Sequence, residues 1–305
     1  MIQAKRSSTH KQYNTYIIAW QTYCADHGVN PSIPSLPQSI DFLEHIRHTR
    51  SLGYNALNTA RSALSSILPV THAVPFGQHP LVKLYMRGVY NIKPPTPRYV
   101  NTWDPDRLLV LLKQWSPADT ISLKLLTFKV LTLSLLVTGQ RVQTMAMLDI
   151  DNMFISQECI SFQITQLLKQ SRPGYSNPAI EFHLYPRDSD LCIYTYLAVY
   201  IRRTSSLRLG SNALFISFQK PHSAVSKATL ARWLKTVMAL GQIDTQNYGP
   251  HSIRSASTSA ALRGGAPVQE ILDRAGWTDG NMFARFYNRP IKSTQTFDVA
   301  VLSRH

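Results

Sequence analysis

A histidine and an arginine lie three positions apart in Gly249-Pro250-His251-Ser252-Ile253-Arg254-Ser255. Pro250 and the serines suit the start of a helix, where a three-residue spacing turns both side chains to the same side. Imidazole accepts a proton near neutral pH, and guanidinium forks onto the oxygens of a phosphate. A helix amino end adds free N–H groups and the positive end of its dipole, both favourable to an anion. Such a tetrapeptide is common by chance, so its weight comes from the residues after it. Gly264-Gly265-Ala266-Pro267 ends that helix, Val268-Gln269-Glu270-Ile271-Leu272 begins another, and Ala275-Gly276-Trp277-Thr278-Asp279 reads as a turn. Met282-Phe283-Ala284-Arg285-Phe286-Tyr287 closes the block. The chain has 14 tyrosines, but Tyr287 alone lies beyond Tyr248. Its hydroxyl is a candidate nucleophile; the simpler alternative is a core aromatic sharing a helix with Phe283 and Phe286.

The elements that must carry these groups are mostly helices. Over 305 residues, 44% are apolar, enough for a sizeable core, while 32 Lys and Arg face 17 Asp and Glu for a formal charge of +15. That excess points to a polyanionic partner, and its spread along the chain favours nucleic acid over a membrane surface. Cys24, Cys159 and Cys192 are far apart and form no C-x-x-C pair, which speaks against a zinc site or a disulfide framework. No secretory segment is expected at Met1–Arg6, and Ile121 to Val137, broken by Lys124 and Lys129, reads as a buried helix rather than a membrane span.

Helical spacing recurs at Tyr13, Tyr16, Ile17 and Trp20, and at Leu57, Ala60, Leu64 and Ile67. Ser39 is the expected cap of a helix carrying Phe42, Leu43 and Ile46. Pro94, Pro95 and Pro97 forbid a continuous helix and mark a linker over 93–100. The expected organisation is a helical domain over 1–92 and a second domain over 101–305. In the latter, Asp104-Pro105 starts a helix with Leu108, Leu111, Leu112 and Trp115 inside, and the buried helix ends at Thr138-Gly139-Gln140-Arg141. Strands are expected from Ser161 to Thr165 and from Ile180 to Leu184, joined by a turn around Lys169-Gln170-Ser171-Arg172-Pro173-Gly174. Further helices carry Tyr194, Leu197, Ala198 and Ile201, and Leu230, Trp233, Leu234 and Val237. The fold class is mainly α with a small antiparallel β-sheet.

In the order of its motifs the chain resembles the tyrosine recombinases and integrases over nearly its whole length. That family places an arginine after a buried helix in a T-G-x-R turn, a lysine in a β-hairpin, an H-x-x-R helix, a His or Trp turn and a nucleophilic tyrosine. The resemblance implies a core-binding domain followed by a catalytic domain, with Arg141, Lys169, His251, Arg254, Trp277 and Tyr287 as the catalytic set. It further implies strand exchange through a 3′-phosphotyrosyl link without cofactor or metal, on double-stranded DNA, by a homo-oligomer that is a tetramer on paired sites. Lys5, Arg6, Lys11, Arg47, Arg50, Arg61 and Arg172 become candidate phosphate contacts. His79-Pro80-Leu81-Val82, the proline linker and the composition look most like recombinases of DIRS/Ngaro-type retrotransposons or Crypton elements, which implies a nuclear location; otherwise an intracellular one is expected. Thr144 stands where the family often carries an acid, so a catalytically impaired DNA-binding protein derived from a mobile element is the alternative.

Overall fold

The computed structural model describes residues 7–69, 74–96, 99–168, 171, 174, 177–277 and 280–290. It divides into two compact units, Met1–Pro97 and Arg98–His305.

The first unit holds α1 (Ser7–His27), α2 (Leu36–Thr49), α3 (Tyr54–Leu64) and α4 (Pro80–Ile92). Trp20 at its centre meets Phe42 edge-on at 5.1 Å, and Leu43, Ile46, Leu57, Leu64, Val82 and Met86 close around them. Two expectations are corrected. The cap of α2 is Ser35, not Ser39: Ser35 Oγ accepts from Gln38 N while Gln38 Oε1 accepts from Ser35 N, a reciprocal box that leaves Pro37 in the first turn, where no N–H is needed. Ser39 is buried inside the helix and donates to Ser35 O. Ile67 lies beyond the end of α3 and is exposed, because the helix stops at Leu64.

The second unit is built on α6 (Leu123–Thr138), which follows α5 (Asp106–Lys113). Leu126 to Leu135 are all buried, so α6 is covered on every side. It is followed by α7 (Val142–Met145), the strands β1 (Met153–Ile155), β2 (Cys159–Phe162) and β3 (Ile180–His183), then α8 (Ile193–Thr204), α9 (Lys227–Leu240), α10 (Ser252–Arg263), α11 (Val268–Ala275) and α12 (Gly280–Phe286). Helices α8, α9 and α10 and strand β3 all pack on α6. The inward face of α8 is Ile193, Tyr196, Leu197 and Tyr200, with Tyr194, Ala198 and Ile201 only partly buried. The sheet is antiparallel in the order β1-β2-β3, with Ile160 opposite Phe182 and Phe162 opposite Ile180. Sequence reading missed β1, set β2 too late and carried β3 too far. The strand β1 is three residues long with Phe154 and Ile155 exposed, and Leu184 is exposed beyond β3. Among the described residues no helix is long and apolar enough to cross a membrane, and no group of three His, Cys, Asp or Glu could hold a metal ion.

A lysine is buried within this core. Lys129 on α6 is fully buried; its Nζ donates to Trp115 O at 2.8 Å and to Ser116 Oγ at 3.2 Å, and lies 3.7 Å from the centre of the Tyr196 ring. Desolvation pushes its pKa down to about 8, with Asp190 and Asp188 opposing. The unfolded chain therefore holds this proton more tightly, and the penalty is complete below pH 8 and relieved as pH rises toward 10.5. Urea unfolding of the protein and of Lys129→Met should show a stability difference that changes by about 3 kcal/mol across that window. A pH-independent difference would mean that burial does not disfavour the ammonium.

Candidate active site

The Arg141 turn follows from how α6 ends. Gly139 caps the helix with φ +60°, and a Cβ there would approach Thr258 Cγ2 on α10 to 2.9 Å, so both conformation and space require glycine. Just beyond, Gln140 is buried and its Nε2 donates to Arg274 O near the end of α11. Thr144 is also buried, and its hydroxyl donates to Gln140 Oε1 at 3.1 Å. Thr144 thus steadies the turn through Gln140. Arg141, half-buried, occupies the residue before α7.

On α10 the Trp103 indole N–H donates to Ser252 Oγ at 2.8 Å and fixes the first turn. Arg254 is fully buried. Its Nη1 donates to Gly139 O at 2.9 Å and its Nη2 to Ala275 O at 2.7 Å, so one guanidinium joins the ends of α6 and α11. Gly276, with φ +67°, ends α11 in a left-handed turn whose Trp277 N–H returns to Leu272 O at 2.8 Å. The turn lays the Trp277 ring 4.0 Å from Arg254 Cζ. Burial first, then the Arg141 cation, pull the pKa of Arg254 down to about 9, with Tyr287 opposing both; burial likewise lowers Arg141, again against Tyr287. The two guanidinium charges and the phenol thus influence one another electrostatically. Nε of Arg254 and Nε1 of Trp277 are buried and lack hydrogen-bond partners.

Tyr287 follows α12 and is half-buried. Its hydroxyl lies 3.1 Å from His251 Nε2, its ring centre 4.5 Å from that of Trp277 and 5.3 Å from Arg254 Cζ. The aromatic alternative raised by the sequence is partly true, since Tyr287 borders the apolar cluster of Ile271, Leu272, Ala275, Trp277 and Phe283. Its hydroxyl nevertheless reaches the exposed His251. His251, Trp277, Arg254 and Tyr287 are therefore neighbours, and the charge of Arg141 is felt by Arg254. Lys169 lies in the connection between β2 and β3, outside the described residues, as do Lys5, Arg6 and Arg172. In the first unit Lys11 and Arg50 are exposed and Arg61 is half-buried. Arg47 is engaged by Glu44 through Nε at 2.8 Å and Nη2 at 2.6 Å, and Tyr85 shares that carboxylate. Sequence reasoning missed Gln140 and Trp103 as supports and the two carbonyls that hold Arg254; backbone oxygens leave no mark in a sequence.

The pattern of the phage integrase family matches residues 105–293, more than half of the chain. The chain belongs to this family, the tyrosine recombinases. Solved structures agree in fold. The XerH site-specific recombinase bound to palindromic difH substrate in a post-cleavage complex matches with a TM-score of 0.61 at 15% identity, over 91% of this chain and 75% of that one. The Tn1549 transposon integrase with transposon right-end DNA gives 0.56 at 13%, over 88% and 84%. A lambda integrase tetramer bound to a Holliday junction gives 0.53 at 14%, over 94% and 79%. No curated protein sequence matches significantly. For a tyrosine recombinase the arrangement is chemically apt: a buried guanidinium and a half-buried one for an anion, and a phenol in contact with an imidazole.

Gly139→Ala tests the junction. Left-handed strain of about 1–2 kcal/mol and overpacking of about 1–3 kcal/mol should add, lowering the denaturant midpoint. Unchanged stability would mean that the contact between α6 and α10 is loose.

Proposed function

We propose that this chain cuts and rejoins double-stranded DNA at specific sites through a 3′-phosphotyrosyl intermediate. The observation that carries the reading is the 3.1 Å contact of the Tyr287 hydroxyl with His251 Nε2 beside the buried Arg254. Five N–H groups are available on Arg254 and two are spent on carbonyls. The others, with Arg141, hold the non-bridging oxygens of the scissile phosphate, where negative charge grows in the transition state. The indole N–H of Trp277 gives one further donor to the same oxygens. His251 takes the phenolic proton, the Tyr287 oxygen bonds to phosphorus, and the bond to the 5′ oxygen breaks. Lys169, in the role that the family resemblance assigns it, protonates that leaving oxygen. A 5′ hydroxyl of another strand reverses the step and completes an exchange. These side chains supply the cationic charge of the reaction.

The working unit is a homo-oligomer, a tetramer on paired DNA sites, in keeping with the family. The helical first unit clasps the duplex through its basic residues, so that affinity falls with salt. The source is a mobile element of the DIRS/Ngaro or Crypton kind, acting in the nucleus, a reading that rests on the His79-Pro80-Leu81-Val82 run, the proline linker and the composition. An impaired DNA-binding derivative has one observation on its side, Thr144 in place of an acid.

Nicked suicide DNA separates the two readings. The protein should form an adduct that survives denaturing electrophoresis, and Tyr287→Phe should bind DNA and form none. Arg141→Ala and Arg254→Ala should each slow adduct formation about 10²-fold or more. DNA binding with no adduct would leave the impaired reading standing, and an adduct that survives in Tyr287→Phe would dismiss this tyrosine as nucleophile.

A further inference from the structure

Helix α12 closes on itself just before the nucleophile, with Tyr287 N and Asn288 N both donating to Phe283 O at 2.9 and 2.8 Å. What ties residues 287–290 to the helix bearing His251 and Arg254 is a second set of bonds. Ser259, fully buried on α10, donates from Oγ to Tyr287 O at 2.6 Å and accepts from Arg289 N at 3.0 Å. One turn later Arg263 Nη1 donates to Arg289 O at 3.2 Å. On the other side Thr102 N donates to Pro290 O at 2.9 Å, and the Arg289 guanidinium donates to Tyr99 O while lying 5.0 Å from the Tyr99 ring. Trp103 returns to α10 through Ser252. The result is a closed circuit from α10 to the segment after Tyr287, to residues 99–103, and back to α10.

Within that circuit Ser259 grips both sides of Asn288 with a single atom. We infer that Ser259 is a positioning residue for the nucleophile: its hydroxyl sets where the Tyr287 phenol stands over a phosphate held by Arg254 of the same chain. The inference rests on the proposed function. Ser259 touches neither the phenol nor the guanidinium, so it acts through the Tyr287 main chain. Loss of the tie lets the ring swing at the end of a short helix, and a shift of about 1 Å in a reacting atom can cost about 10²-fold in rate. The bonds that Arg254 donates to Gly139 O and Ala275 O do not pass through Ser259 and survive its removal.

The test uses single-turnover cleavage of nicked suicide DNA by the full chain. Ser259→Ala should slow adduct formation about 10- to 100-fold with an unchanged DNA Kd, and Ser259→Thr, which keeps the hydroxyl, should restore it. Hydrogen peroxide added to Tyr287→Phe supplies the attacking oxygen in place of the phenol; its oxygen bonds to phosphorus and the 5′ hydroxyl departs with a proton. In that background Ser259→Ala should leave peroxide cleavage unchanged, because the phosphate-binding side of the site is intact. Equal slowing of both reactions would overturn the inference, as would an unaltered adduct rate in Ser259→Ala. Absence of adduct from the unmodified protein would instead remove the proposed function beneath it.

Discussion

A full positive charge with no solvent exposure lies at the centre of this fold, and much of the second unit is arranged to tolerate it. An ion taken from water into a protein interior costs several kcal/mol. Arg254 recovers part of that through two charge-assisted hydrogen bonds, each worth about 1.5–3 kcal/mol. The acceptors are carbonyls, not a carboxylate, so the charge is solvated without being cancelled. Its lowered pKa records the shortfall. In the proposed reaction a phosphate at this point would make good what the protein leaves undone.

That requirement fixes the geometry around it. Gly139 and Ala275 must turn their oxygens toward one guanidinium, so α6 and α11 must both end there, each with a left-handed glycine at its end. The Gln140 bond to Arg274 O and the Thr144 bond to Gln140 brace the same junction. Tyr287 is held differently. A seven-residue helix has little stability alone, and α12 keeps its place through Phe283 and Trp277 in the small apolar cluster and through bonds from α10. The half around Arg254 is therefore held by burial, and the half that carries Tyr287 is placed by a few tethers.

Much of this was legible in the residues, for identifiable reasons. The pairing of His251 with Arg254 could be read because both lie within one turn of one helix. The apolar run of α6 and the glycine after Thr138 marked a buried helix and its end. Tyr287 stood out through its place in a block of turns and helices, not through its own type. Tertiary details were hidden. The carbonyl partners of Arg254 carry no side-chain signature, and the tie from Trp103 to Ser252 spans 149 positions. Ser39 looked like a cap until Ser35 and Gln38 closed their own box, and β1 was too short and exposed to alternate visibly. Arg47 drew notice by its charge alone, and its ion pair with Glu44 could not be read from that.

Which oxygen becomes joined to DNA decides whether this site works as its geometry implies. The direct measurement is to trap the covalent complex on suicide DNA, digest both components and locate the nucleotide-bearing peptide by mass spectrometry. The added mass should sit on Tyr287, attached through a 3′ phosphate. Attachment to any other side chain, or through a 5′ phosphate, would contradict the site described around Arg254.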